Sequence, residues 1–266
     1  MIIFAKLHFL IIYSVNSNNI MHFDVINLKE TESTNSYARE LIEKQECKEG
    51  IVISTLCQTK GKGQGSNKWD SNAGENITAT WILKPEFLLP SEQFLISQMG
   101  SLAVSDCLFE IGGINTLIKW PNDIYFNLSK IAGILIEHII EGDSIKYSII
   151  GIGININQQT FSQQLPNPIS LRNITNNYFD LKKVLLKLTS NIDKRYEKLR
   201  TGQFDTIRIE YLKKILFLNE YRIFLISGEK VEAKVEGVNN DGRLVLSTKE
   251  NKKLCLAMNE VSYCIA

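Results

Sequence analysis

The sequence predicts an α+β fold: a central mixed or antiparallel sheet flanked by helices over about residues 22–212, then a small β-barrel over about 216–266. Two observations lead there. Apolar and β-branched runs of strand length are interspersed with two long stretches of helical period as far as Arg200. Beyond about residue 216 only short strands and turns remain. A chain of 266 residues, 44% apolar, has room for one large core and such an appendage.

Met1 to Val15 reads MIIFAKLHFLIIYSV, apolar but interrupted by Lys6 and His8. It is short of the roughly 20 apolar residues of a spanning helix and lacks a small-residue cleavage site. Met21 follows, so residues 1–21 read as a leader or a misassigned start, with a signal peptide as the weaker reading. Residues 22–30 read as a strand. Ser33-Thr34-Asn35 are three good N-cap residues before a helix to Gln45. Residues 51–57 and 76–83 read as strands on either side of a glycine-rich segment. Residues 91–110 place Leu95, Met99, Leu102 and Phe109 at helical spacing. Residues 116–126 read as strand, proline turn, strand. Residues 130–140 and 145–156 form a hairpin through Glu141-Gly142-Asp143. In 180–200, Leu181, Val184, Leu188, Ile192 and Leu199 share a helical face. Short strands at 221–226, 231–238, 243–248 and 253–258 complete the small domain, with Asn239-Asn240-Asp241-Gly242 as one of its turns.

The net charge of +1 argues against a duplex-binding protein, and no nucleic-acid or membrane partner is expected. Five widely spaced cysteines with no C-x-x-C pair indicate neither a zinc site nor a disulfide framework, and fit a reducing cytoplasm. The three histidines lie far apart and suggest no metal cluster.

Four segments are candidates for chemistry. Gln58-Thr59-Lys60-Gly61-Lys62-Gly63-Gln64-Gly65-Ser66-Asn67-Lys68-Trp69 puts three glycines and nearby lysines after a strand. Its amides could converge on a phosphate, or it is an ordinary surface loop; the P-loop pattern is absent. In Lys119-Trp120-Pro121-Asn122-Asp123 a lysine leaves a strand into a proline turn. It either meets a phosphate, with Asp123 holding a metal, or forms a plain hairpin turn. In Lys130-Ile131-Ala132-Gly133-Ile134-Leu135-Ile136-Glu137 and in Gly151-Ile152-Gly153-Ile154-Asn155-Ile156-Asn157, glycines inside apolar strands mark a bulge or a close approach by a ligand or another backbone.

In this order and spacing the four segments resemble the biotin–protein ligase family. The family loop G-R-G-R-x-G-R-x-W is similar to Gly61 through Trp69. K-W-P-N-D stands intact at Lys119 to Asp123, K-[LIV]-x-G-[IL]-L-x-E at Lys130 to Glu137, and G-[ILV]-G-[ILV]-N-x-N at Gly151 to Asn157. The upstream S-T-N stands at Ser33 to Asn35. The resemblance implies a class II synthetase or biotin–lipoate ligase-like catalytic fold with a Src-homology-3-like C-terminal barrel. It implies ATP-dependent conversion of biotin to biotinyl-5'-AMP and transfer of the biotin to a lysine of a carboxyl carrier domain. Acetyl-CoA carboxylase or a related carboxylase would supply that domain.

Carried over residue by residue, Lys130, Lys119 and Lys62 become the catalytic candidates. Ser33, Thr34, Asn35, Gln58, Gly61, Lys62, Gly63, Gln64, Lys130, Gly133 and Gly153 would hold biotin. Lys62, Gln64, Trp69, Lys119, Asn122, Lys130 and Asn155 would hold ATP, and Asp123 a magnesium ion. Two departures stand out: the first loop arginine is Lys62 and the second is the uncharged Gln64, so Lys60 or Lys68 is expected to compensate or the adenylate to be held loosely. The loop itself is expected to be mobile without ligand. About twenty residues precede His22, too few for a helix-turn-helix module, so a monofunctional ligase without operator binding is expected. Two other readings share the fold: a lipoate or octanoate ligase, and a catalytically inactive biotin-binding protein. A homodimer through an edge strand near 145–156 is a further expectation.

Overall fold

The computed structural model describes the backbone of Ile11–Val15 and residues 21–264. Eight strands lie side by side in the order β1 (Ile11–Val15), β2 (Phe23–Thr31), β3 (Ile51–Gln58), β4 (Ile77–Leu83), β8 (Ser144–Ile154), β7 (Ser129–Glu141), β6 (Asp123–Phe126) and β5 (Leu117–Lys119). Neighbours are antiparallel except β2 and β3. Those two run parallel because α1 (Thr34–Glu43) crosses between them, as a parallel connection requires. The α+β prediction holds.

Helices cover both faces of the sheet, so all seven residues of β4 are buried and it reads as an unbroken apolar run. On one face α1 lays Ala38 and Leu41 against Leu28, Ile53, Ile82 and Ile149. The other face carries α2 (Phe94–Gly112) and α4 (Leu181–Arg200). Asp180 caps α4 by accepting from the amides of Lys182 and Lys183, and Val184, Leu188, Ile192 and Leu199 are buried as the period predicts. Trp81 on β4 is fully buried and donates from Nε1 to Thr189 on α4 at 3.2 Å. Pro90–Gly112 is long and apolar enough to cross a membrane, yet 67% of that window is buried in this core.

α5 (Phe204–Lys213) follows α4, and the chain then stitches itself to the sheet edge. Ile118 of β5 donates to Lys214 O at 2.7 Å and accepts from Leu216 N at 2.8 Å. The small domain is a five-stranded antiparallel sheet in the order β12 (Lys253–Leu256), β11 (Leu244–Thr248), β10 (Glu229–Val238), β9 (Tyr221–Ile226), β13 (Val261–Tyr263). Its Phe224, Val235 and Leu246 belong to the same apolar cluster as the large core. Among the described residues β12 and β13 are edges, not paired with one another, so the barrel is open along that seam.

Several expectations are corrected. Strand 145–156 is not an edge: β8 lies between β4 and β7, so its backbone groups are already paired and cannot join a second copy. Ile11–Val15 lies within the segment read as a leader or a misassigned start, and its backbone pairs antiparallel with β2. Phe109 is 55% exposed, because α2 turns the neighbouring Cys107 and Leu108 inward instead. α5, the short α3 (Leu171–Thr175) and β13 were not anticipated.

Candidate active site

A cavity of about 400 Å³ opens over the middle of the large sheet, a size suited to a small molecule. Its floor is bare backbone. Gly133 of β7 and Gly153 of β8 are direct cross-strand partners, and Thr78 of β4 pairs Gly153 on the other side. The indole of Trp69 lies on this floor. A Cβ added to Gly153 would stand 2.2 Å from Trp69 Cε2, and one on Gly133 would stand 3.2 Å from Cζ3. The expected close approach is therefore real, but here a side chain occupies the place foreseen for ligand. The indole N–H is buried and has no hydrogen-bond partner among the described residues.

One rim is the turn between β5 and β6. Asp123 Oδ1 is 2.6 Å from Lys130 Nζ, and its Oδ2 is 3.9 Å from Lys119 Nζ. Lys119 sits between the rings of Tyr125 (5.7 Å) and Tyr263 (5.6 Å). Burial pulls the Lys119 ammonium below the ordinary lysine range and neighbouring Lys130 adds to this, against the opposing pull of Asp123. Burial, with the Asp123 charge, pushes the Tyr125 hydroxyl up to about 12. Asn122 fixes the turn: its side chain donates to Ile134 O, and its own carbonyl accepts from Ile134 N at 3.2 Å.

The opposite wall is the start of α1. Thr34 donates to Gln58 Oε1 from its amide (2.8 Å) and its hydroxyl (3.1 Å). Thr80 Oγ1 lies 2.7 Å from both Thr34 Oγ1 and Asn35 Oδ1. Asn35 Nδ2 donates to Glu137 Oε1 at 3.1 Å and to Leu135 O at 3.3 Å, and Arg39 donates to Glu137 Oε2 at 2.5 Å. Burial alone would raise the Glu137 carboxyl, but its hydrogen bonds from Arg39 and Asn35 and the charges of Arg39 and Lys62 bring it below the usual glutamate value. Gly151 is bare for Asn35, since a Cβ there would stand 2.2 Å from Asn35 Oδ1.

The glycine-rich segment is a short hairpin. Trp69 N donates to Gly61 O (3.0 Å), Gly63 N to Asn67 O (2.9 Å), and Lys62 faces Lys68 across an antiparallel bridge. Gly65 takes φ +62 in its tip, a conformation that favours glycine. Four lysines (62, 68, 119, 130) and one carboxylate, Asp123, line the cavity. A chain of net charge +1 thus concentrates positive charge where an anion would lie.

Residues 28–155 match the Biotin/lipoate A/B protein ligase family. The bifunctional ligase/repressor BirA of Bacillus subtilis is 32% identical over 243 residues, covering 90% of this chain and 72% of that protein. The chain belongs to the biotin protein ligase family. The biotin–[acetyl-CoA-carboxylase] ligase of Paracoccus denitrificans is 28% identical over 82% of this chain and 92% of its own length. The biotin protein ligase from Aquifex aeolicus, solved in complex with biotin and ATP, superposes with a TM-score of 0.77 at 29% identity over 91% of this chain and 99% of that one.

Of the residues carried over from the biotin protein ligase motifs, most line the one cavity: Ser33, Thr34, Asn35, Gln58, Lys62, Gly63, Gln64, Trp69, Lys119, Asn122, Asp123, Lys130, Gly133 and Gly153. Two do not. Asn155 is buried with its amide donating to Ile169 O at 3.1 Å, which ties the end of β8 to the next segment. Gly61 is a close-packed strut, its Cβ position 2.3 Å from Trp69 O. Lys60 turns outward to pair with Glu32 at 2.8 Å, so of the two substitutes considered for the missing arginine only Lys68 reaches the cavity. Sequence reading missed the small domain's share: Met258, Asn259, Val261, Ser262 and Tyr263 line the same cavity. Trp120, which the K-W-P-N-D motif does contain, donates from Nε1 to Gly242 O at 3.0 Å and holds the two domains together beside the site.

Proposed function

We propose that this ligase activates biotin with ATP to biotinyl-5'-AMP and passes the biotinyl group to one lysine of a biotin carboxyl carrier protein. The observation that carries the reading is the pair Lys119 and Lys130 flanking Asp123 at the edge of the two-glycine floor.

In the first half-reaction an oxygen of the biotin carboxylate attacks the α-phosphorus of ATP, and pyrophosphate leaves with the bonding pair. A carboxylate is already ionised at neutral pH, so no general base is needed. Negative charge on the phosphorus-bound oxygens rises, and fixed ammonium groups stabilise it best where water is scarce. Lys130 and Lys119 supply that charge, with Lys62 on the hairpin above. Ser33, Thr34 and Gln58, which line the cavity at the start of α1 and the end of β3, would hydrogen-bond the ureido ring, with Asn35 bracing that wall through Thr80 and Glu137. Trp69 and Asn122 face the nucleotide.

A magnesium ion finds one carboxylate here, Asp123. Among the described residues no group of three His, Cys, Asp or Glu is placed to hold a metal ion, so phosphate oxygens and water would complete its shell. When bound it would neutralise phosphate charge. In the second half-reaction the carrier's lysine amine attacks the acyl carbon of the adenylate, and AMP leaves.

The test is incubation with biotin, ATP and a carrier domain, run beside Lys130→Ala. Biotin on one carrier lysine, with adenylate formation reduced about 100-fold in the variant, is the expected result. An unimpaired variant, or preferential attachment of lipoate, refutes the reading.

A further inference from the structure

We propose that Tyr263 on β13 of the small domain is a positioning residue for nucleotide activation: the face of its ring holds the Lys119 ammonium in place, so the small domain sets a lysine of the large one. The inference deepens the ligase reading above and rests on it. Lys119 Nζ lies 5.6 Å from the centroid of the Tyr263 ring and 5.7 Å from that of Tyr125, one ring from each domain. An ammonium within about 6 Å of an aromatic face is attracted to it, the more so where water is excluded. The four-carbon stem of a lysine is flexible, and two rings restrict it before any substrate arrives. The carboxylate beside Lys119 holds it only loosely: Asp123 Oδ2 is 3.9 Å away, while Oδ1 is taken by Lys130 at 2.6 Å.

Tyr263 is itself firmly placed. It stands directly opposite Phe224 in the β13–β9 pair, packs edge-on to that ring at 5.1 Å, and lies 6.2 Å from the ring of Phe217. The turn that carries Lys119 is pinned at its next two residues. Trp120 Nε1 donates to Gly242 O at 3.0 Å, and the Tyr211 hydroxyl of α5 donates to Pro121 O at 2.9 Å. With that backbone fixed, the freedom that remains is in the lysine side chain, and Tyr263 is the ring through which the small domain meets it.

The experiment measures single-turnover formation of labelled biotinyl-AMP by excess full-length enzyme, which stays measurable in slow variants. Tyr263→Leu keeps apolar bulk but has no ring face. Its rate constant is expected to fall about tenfold, while the Kd for biotin, measured without ATP, stays within about twofold. Tyr263→Phe, which keeps the face, should recover most of that loss. In a Lys119→Gln background Tyr263→Leu should cost less than about twofold more, because the lysine it positions is gone; a merely structural role would make the two losses multiply. Multiplying losses, a Tyr263→Phe enzyme as slow as Tyr263→Leu, or a parallel fall in biotin affinity overturns the inference. Absence of any biotinyl-AMP from the wild type overturns the ligase reading beneath it, and the two failures are distinguishable.

Discussion

Replacing Gly153 by alanine tests whether the cavity floor is a site of obligatory close approach. The added Cβ would lie 2.2 Å from Trp69 Cε2, 2.5 Å from Cζ2 and 2.6 Å from Nε1. Carbon atoms rest at about 3.5 Å or more, so the indole, or whatever ligand atoms replace it, must lift by more than about 1 Å. Displacement of that size in a catalytic site costs on the order of 10–100-fold in rate, or about 1.4–2.7 kcal/mol of transition-state stabilisation. Folding should not suffer. Gly153 lies in an interior strand, where alanine is favoured over glycine by about 0.5–1 kcal/mol of backbone entropy. Gly133→Ala is the graded control: its Cβ meets Trp69 Cζ3 at 3.2 Å and Lys130 Cε at 3.3 Å, a clash of a few tenths of an ångström. ATP–pyrophosphate exchange measures kcat/KM, and thermal melting measures stability. The expected order is wild type, then Gly133→Ala within about fivefold, then Gly153→Ala well below both at an unchanged or higher Tm. A Gly153→Ala enzyme with wild-type exchange refutes the reasoning, as does a Gly133→Ala enzyme that is the worse of the two.

Three other outcomes are expected. Lys119 must be charged to serve a phosphate, and burial sets it below the usual lysine value, so the alkaline limb of kcat/KM for pyrophosphate exchange should fall below pH 10.5. Lys119→Arg, if active, should move that limb upward, and a limb that stays put would assign it to another group. Glu137→Ala removes the carboxylate that accepts from both Asn35 and Arg39 and should raise the KM for biotin about tenfold with a smaller effect on kcat. Glu137→Gln should recover part of this, and a pure loss of kcat would contradict the assignment. His138 is held neutral by burial, its ring pushed down to about 4 from 6.5, with Ser148 2.9 Å from Nδ1. Its unfolded form takes up the proton first. Stability is therefore intact above pH 6.5 and falls by up to about 3 kcal/mol as pH drops towards 4. Denaturant titrations of His138→Gln against wild type should show a shallower loss over that window, and parallel curves would refute it.

What was readable in the sequence was what is chemically local. Lys119 to Asp123 is a five-residue turn whose lysine and carboxylate are brought together by its own backbone, and the glycines at 133 and 153 announce close approach wherever the strands pair. Helix α4 was legible because its apolar face is set by period alone. What escaped depends on partners that spacing does not encode. Asn155 looks like a free polar residue at a strand end, but its side-chain amide is taken up by Ile169 O where the chain returns and by Lys130 O. Lys60 and Lys68 are equivalent in composition, yet hairpin register aims one into the cavity while Glu32, 28 residues upstream, holds the other outside. The largest omission has the same cause. Residues 258–263 belong, by sequence, to a separate small domain, but the Trp120–Gly242 hydrogen bond and the continuous apolar cluster bring that domain against the lysine-bearing turn. There Tyr263 becomes one of the two rings that bury Lys119. The surroundings of Lys119 thus include a residue 144 positions away, a contact that exists only once both sheets have closed on one core.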